Sequence, residues 1–198
     1  MDSGVFVLIA VISISLTSSF ILISRDWRYC IGALAIQYVG VFVLVNASWP
    51  VEAAVAKMVA GWMSGAILGI AMTSIPDSLR ESEKLIAFGP LFRIISAIIL
   101  ALTITSLTLH SEAWFTMISP LVLWGSFFLI GFGILQVSLT SHPLRVVIGL
   151  LTSLSGFEII YAAVETSILV TGLLAGVNLG LALVGSYMII APSMEANP

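Results

Sequence analysis

Long apolar runs separated by short polar breaks set the pattern of this chain. Seven runs stand out, at about residues 4–24, 29–48, 51–74, 91–109, 114–140, 144–164 and 167–190. Each is near the roughly 20 residues that an α-helix needs to cross a hydrocarbon core about 30 Å thick. None alternates apolar and polar positions with period two, as barrel strands would. The expected fold is therefore all-α, an integral membrane protein of about seven transmembrane helices. The breaks carry the punctuation. Arg25, Asp26, Trp27 and Arg28 make a tight polar turn, Trp49-Pro50 closes the second run, and Ser141-His142-Pro143 precedes the sixth. The stretch from Ser74 to Pro90, with Asp77, Arg80, Glu81, Glu83 and Lys84, has room for a short interfacial helix. His110, Ser111 and Glu112 follow the fourth run, and the tail from Pro192 is too short to fold.

Composition narrows the function classes. The 198 residues are 60% hydrophobic and 9% charged, against about 25% charged in an ordinary soluble domain. Only Asp2 precedes the first run, which also lacks a small-x-small cleavage site before Arg25, so it reads as a retained helix. The single cysteine, Cys30, allows no internal disulfide. His110 and His142 sit in loops without a second ligand at metal spacing, so no metal site is expected. No nucleophile–base arrangement, phosphate-binding glycine loop or basic patch is present. The chain is expected to be no enzyme by itself, to hold no cofactor and to bind no nucleic acid.

The basic residues suggest an orientation. Arg25, Arg28, Arg80, Lys84, Arg93 and Arg145 fall on one side of the seven-span arrangement, and Asp2, Glu52, Glu112 and Glu165 on the other. The positive-inside rule then places the amino terminus outside and the carboxyl terminus in the cytoplasm of a cell membrane. Lys57 is the exception.

A weak internal repeat is also visible. Arg28-x-x-Ile31-Gly32-x-Leu34 recurs as Arg145-x-x-Ile148-Gly149-x-Leu151, and Gly61-x-x-x-Gly65 as Gly176-x-x-x-Gly180. It suggests two parallel three-helix units within a single membrane domain. Residues 1–74 form the first unit, 75–113 a loop and connecting helix, and 114–191 the second. Gly61, Gly65 and Gly69, and likewise Gly172, Gly176 and Gly180, form stripes on which another helix backbone can approach closely; plain helix packing is their reading.

The polar residues at membrane depth carry the candidate chemistry. Counted along the helices, Glu158 lies roughly 18 Å from the cytoplasmic side, Asn178 roughly 14 Å, Lys57 roughly 21 Å and Gln37 roughly 12 Å. An acid, an amide and a base in one layer can form a hydrogen-bonded chain suited to lateral proton movement. Tyr161, one turn after Glu158, is placed by spacing to donate to it. Plainer readings stand beside these. Glu158 can be a neutral structural carboxyl, Lys57 can snorkel to the outer interface, and Asn178 and Gln37 can serve as helix–helix glue.

The segment Arg145-Val-Val-Ile-Gly-Leu-Leu, continued by Gly156-Phe-Glu158-Ile-Ile-Tyr-Ala, resembles the second helix of the K-type small membrane subunit of respiratory complex I. Leu174-Ala-Gly-Val-Asn178-Leu-Gly-Leu-Ala-Leu resembles its third helix. The likeness covers about the last 75 residues and extends to the C subunit of multisubunit sodium/proton antiporters. The whole chain, with Lys57 on the third span, resembles component E of the hydrogenase-4 type. The resemblance implies a non-catalytic membrane subunit of a redox complex, contributing to proton or sodium translocation. Its partners would be other membrane subunits, antiporter-like channels among them, together with lipid. It maps the family's main glutamate onto Glu158. The family's second acid falls at or near Asn178, which cannot ionise; Lys57 would supply a titratable group in its place. A stand-alone small transporter and a purely structural spacer subunit are the rival readings.

Overall fold

The computed structural model describes residues 3–24, 26–75, 89–111, 115, 118–165 and 167–195. They form seven α-helices: α1 (Ser3–Ile23), α2 (Trp27–Asn46), α3 (Val51–Ser74), α4 (Pro90–Ser111), α5 (Pro120–Ser138), α6 (Pro143–Val164) and α7 (Ile168–Glu195). All seven are long and apolar enough to span a membrane. Over the described residues the protein is an all-α, seven-helix membrane protein. The interfacial helix expected between Ser74 and Pro90 lies outside the described residues.

Local chemistry sets the boundaries. Asp26 caps α2 by accepting the Arg28 backbone N–H at 2.9 Å, which satisfies one of the orphan donors of a helix start. Arg28 thus belongs to the first turn of α2 and not to the preceding loop. Proline opens α5 at Pro120 and α6 at Pro143, where its missing N–H costs nothing. Pro120 also explains why α5 begins later than the apolar run suggests. At the other end, α7 continues through Pro192, past the expected stop near residue 190.

The packing sets the first three helices against the last three. α1 contacts α5, α2 contacts α6 and α3 contacts α7, while α4 lies outside against α5 and α1. The helices alternate in direction, so Arg28, Arg93 and Arg145 gather at one end of the bundle, the basic end. The other end is marked by Trp49 and Glu165. Arg93 and Arg145 are buried, and both close the C-terminal end of α1. Arg93 Nη1 donates to the Leu22 carbonyl at 3.1 Å. Arg145 donates through Nη1 to the Ile21 carbonyl at 3.5 Å and through Nη2 to the Ser24 carbonyl. Cations meet the unpaired carbonyls and the negative dipole end of that helix.

Two main apolar clusters fill the bundle, one above the other. The cluster nearer the basic end unites Ile21, Leu34, Leu68, Ile148, Leu151 and Ala182. The other unites Ile14, Val41, Ala54, Leu123, Ile159 and Ala162. Along α1, α3 and α6 the change from one cluster to the other falls at buried polar residues, Ser18, Lys57 with Ser64, and Thr152 with Ser155 and Glu158, and on α2 Gln37 stands just before it. A polar layer therefore divides the hydrophobic core. It is this layer that holds the site.

Candidate functional site

Glu158 sits on the inward face of α6, thirteen residues beyond Arg145, or about 20 Å along the axis. α6 ends at Val164, so the opposite end of the helix is about 9 Å away. Lys57 stands six residues into α3, at the matching depth of about 9 Å from the same end. The contact between α3 and α7 and the contacts of α6 with α2 and α7 bring the two helices' polar positions to one layer.

There Lys57 Nζ and Glu158 Oε2 form an ion pair, and both residues are 4% exposed. Asn178 of α7 completes the group, its Nδ2 donating to Glu158 Oε1 at 3.1 Å. The snorkelling alternative for Lys57 is thereby set aside, because its ammonium turns inward and is shielded. Neither Lys57 Nζ nor Glu158 Oε2 has a hydrogen-bond partner beyond the pair among the described residues, and Asn178 Oδ1 has none. An ammonium offers three N–H donors, and here one acceptor meets them. The cluster is an acid, a base and an amide, closed off from the chain's surface and incompletely satisfied.

Tyr38 of α2 lies beside it. Lys57 Nζ is 5.8 Å from the centre of the Tyr38 ring, within cation–π reach. Tyr38 is held there by Gly61, since a Cβ at Gly61 would overlap its ring. Its hydroxyl has Ser155 as its polar neighbour but makes no well-formed hydrogen bond. Ser155 itself donates to the Leu151 carbonyl at 2.8 Å, leaving its oxygen as an acceptor.

Gln37 is fully buried, but it does not touch the pair. It accepts from Ser18 Oγ at 3.1 Å and donates through Nε2 to Thr152 Oγ1 at 3.2 Å. This links α1, α2 and α6 within the polar layer. Tyr161 corrects the expectation drawn from spacing. Tyr161 makes no hydrogen bond to Glu158, whose oxygens meet Lys57 and Asn178, and the Tyr161 ring instead meets Trp49 edge-on, with centroids 6.2 Å apart and planes at 85°. Trp49 in turn donates through Nε1 to the Glu165 carbonyl at 2.9 Å.

The two glycine stripes part company. On α3, Gly61 seats Tyr38, and Gly65 and Gly69 stand in ordinary contact range of Ile31. On α7, a Cβ at Gly172, Gly176 or Gly180 would meet nothing within 4 Å, so these glycines seat no helix of this chain. The inward row of α7 is a different one, running through Asn178, Ala182, Gly185 and Ile189, where a Cβ at Gly185 would strike Val147.

Sequence reasoning missed Tyr38, Ser155, Thr152 and Ser18. A signal for two of them exists: Thr152, Ser155 and Glu158 recur every three residues, which places them on one helical face. Compared with protein-family models, with curated proteins and with solved structures, the chain finds no match.

Proposed function

We propose that this chain is a non-catalytic subunit of a complex I-like or energy-converting hydrogenase-like membrane assembly, and that Glu158 takes up and releases a proton within it. The resemblance of the α6 and α7 segments supports the assembly. The observation that carries the proton role is the buried group of Lys57, Glu158 and Asn178. Ionisable residues in a membrane interior are expensive, and they mark ion paths.

The chemistry of the group suits such a task. While Glu158 is ionised, Lys57 is its counter-cation. When Glu158 takes a proton, the attraction that holds the ammonium disappears. The position of Lys57 and the protonation of Glu158 are therefore coupled. Asn178 holds Oε1 in place through both states, because an amide N–H can donate to a carboxylate or to a carbonyl oxygen. Redox chemistry would belong to partner subunits, and a proton leaving Glu158 would pass sideways to a channel-like neighbour.

The test is Glu158→Gln in the complex that co-purifies with this chain, reconstituted in sealed vesicles. Proton movement per assembled complex should fall at least tenfold. Pumping at the normal rate would leave Glu158 as a structural carboxyl and the chain as a spacer.

A further inference from the structure

Glu158 is unequally placed between the two ends of the bundle. At the nearer end, about 9 Å away, the covering side chains are apolar. Ile159, Ala162, Ala54 and Trp49 pack there in one apolar cluster. Above them Trp49 is fixed by its bond to the Glu165 carbonyl and by the Tyr161 ring. The farther end carries an apolar cluster too, around Ile21, Leu34, Ile148 and Leu151, but polar steps lead through it. Ser155 and Thr152 stand one and two short turns from Glu158 on the same face of α6. Gln37 bonds Thr152 and Ser18 together. Ser18 lies one turn of α1 below Ile21, whose carbonyl accepts from Arg145 at the basic end.

We infer that Ser155, Thr152, Gln37 and Ser18, with the Tyr38 hydroxyl beside them, form the access branch of Glu158. Protons enter and leave it from the basic face of the membrane and not from the nearer Trp49 face. The inference rests on the proton-exchange reading of Glu158 given above. Hydroxyls suit the task because each can accept one hydrogen while donating another. The Gln37 amide fixes two of them in line, acting as a positioning residue. The buried Tyr38 hydroxyl and Asn178 Oδ1, both without a protein partner of good geometry, are the places where inserted water would be held. The charged and titratable groups facing Glu158 are Lys57 from α3 and Tyr38 from α2. α7 presents Asn178, and the described part of α5 carries no charged side chain. No second acid competes for the proton at that depth among the described residues.

The experiment uses dicyclohexylcarbodiimide, a membrane-permeant reagent that modifies carboxyls in their protonated form. The full chain is labelled in sealed native membrane vesicles whose inner and outer pH are set separately, with Glu158→Gln as the blank. Ser141→Cys and Ser48→Cys variants, read with an impermeant thiol reagent, identify which compartment faces each end. Modification of Glu158 should rise several-fold when the Ser141 side is acidified and stay unchanged when the Ser48 side is. Thr152→Val and Gln37→Leu, matched to the parent in membrane content, should slow that response about tenfold. Ser15→Ala, which removes a hydroxyl bonded only within its own helix, should not. Labelling that follows the Ser48 side overturns the branch, as does a normal response in both Thr152→Val and Gln37→Leu; Glu158 as an exchanging acid would stand. No labelling of Glu158 at any pH overturns that reading itself, and the branch with it.

Discussion

The ion pair between Lys57 and Glu158 makes an unequal contribution, depending on how it is disturbed. Removing two ions from water costs several kcal/mol each, and mutual attraction offsets this only in part. Losing one partner leaves the other charge stranded. Lys57→Ala alone, or Glu158→Ala alone, should therefore destabilise the chain by about 3–5 kcal/mol, read as a large fall in thermal midpoint in detergent. Replacing both, as Lys57→Met with Glu158→Leu, should return stability to within about 1 kcal/mol of the parent or above it. Proton movement should stay abolished in the double variant. A double variant as unstable as the singles would mean that the pair contributes mainly to the fold. Glu158, Asn178 and Lys57 were visible in the sequence because each interrupts an apolar run, and Lys57 also broke the charge asymmetry of the loops. Their meeting was not visible, since it depends on how α3, α6 and α7 are rotated against one another. Ser155, Thr152 and Ser18 escaped notice for a different reason. Hydroxyls in membrane helices usually bond back to their own helix, as Ser15, Ser64 and Ser126 do here, so composition cannot separate a relay hydroxyl from an idle one. Tyr161 was misassigned because spacing along one helix says nothing about which neighbour stands opposite.

Five of the seven helices were legible to within two residues at each end, because hydrocarbon demands about 20 apolar positions with every backbone group bonded internally; α5 and α7 missed by more, where prolines fall near their ends. Which glycines matter was less so. Regular four-residue spacing pointed to Gly172, Gly176 and Gly180, yet the tight crossing lies elsewhere, between α5 and α6. A Cβ on Gly133 would come within 2.5 Å of the Gly149 carbonyl and the Ser153 nitrogen. A Cβ on Gly156 would come within 2.5 Å of the Ser126 carbonyl. Backbone cannot step aside as a flexible side chain can. Gly133→Ala and Gly156→Ala should each cost about 1–3 kcal/mol through overpacking. Gly176→Ala should change stability by less than about 1 kcal/mol, and upward if anything, because alanine is the better helix former. Thermal unfolding of the three variants side by side checks the contrast. The sequence signal fails here because close approach needs a small residue on both helices, and the partner of Gly133 is another glycine on the next helix, outside any single-helix pattern.

For the whole molecule, one set of polar links ties the two halves together. Lys57 to Glu158, Gln37 to Thr152, Trp49 to Glu165, Arg93 to Leu22 and Arg145 to Ile21 and Ser24 all join α1–α3 to α4–α7. Apolar packing between membrane helices gains little from water exclusion, since lipid tails are as apolar as the side chains they replace. Register between the halves must then come from shape and from these bonds, which sit at three depths: the basic end, the polar layer and the Trp49 end. Each half consists of complete spans and so has no exposed backbone that bars its insertion. Cutting the chain within residues 76–88 and co-expressing the pieces should therefore give two inserted fragments that co-purify from the membrane. Lys57→Ala in the first fragment should weaken their association by more than a hundredfold, the equivalent of about 3–5 kcal/mol, because a lone carboxylate would remain in the interface. The Gly176→Ala change should leave association intact, since that glycine faces away from the first half. If the fragments fail to find each other, or pair equally well without Lys57, the halves are held together by the apolar clusters alone. The polar layer would then be free of any part in assembly, and its retention would have to be explained entirely by the traffic of protons through Glu158.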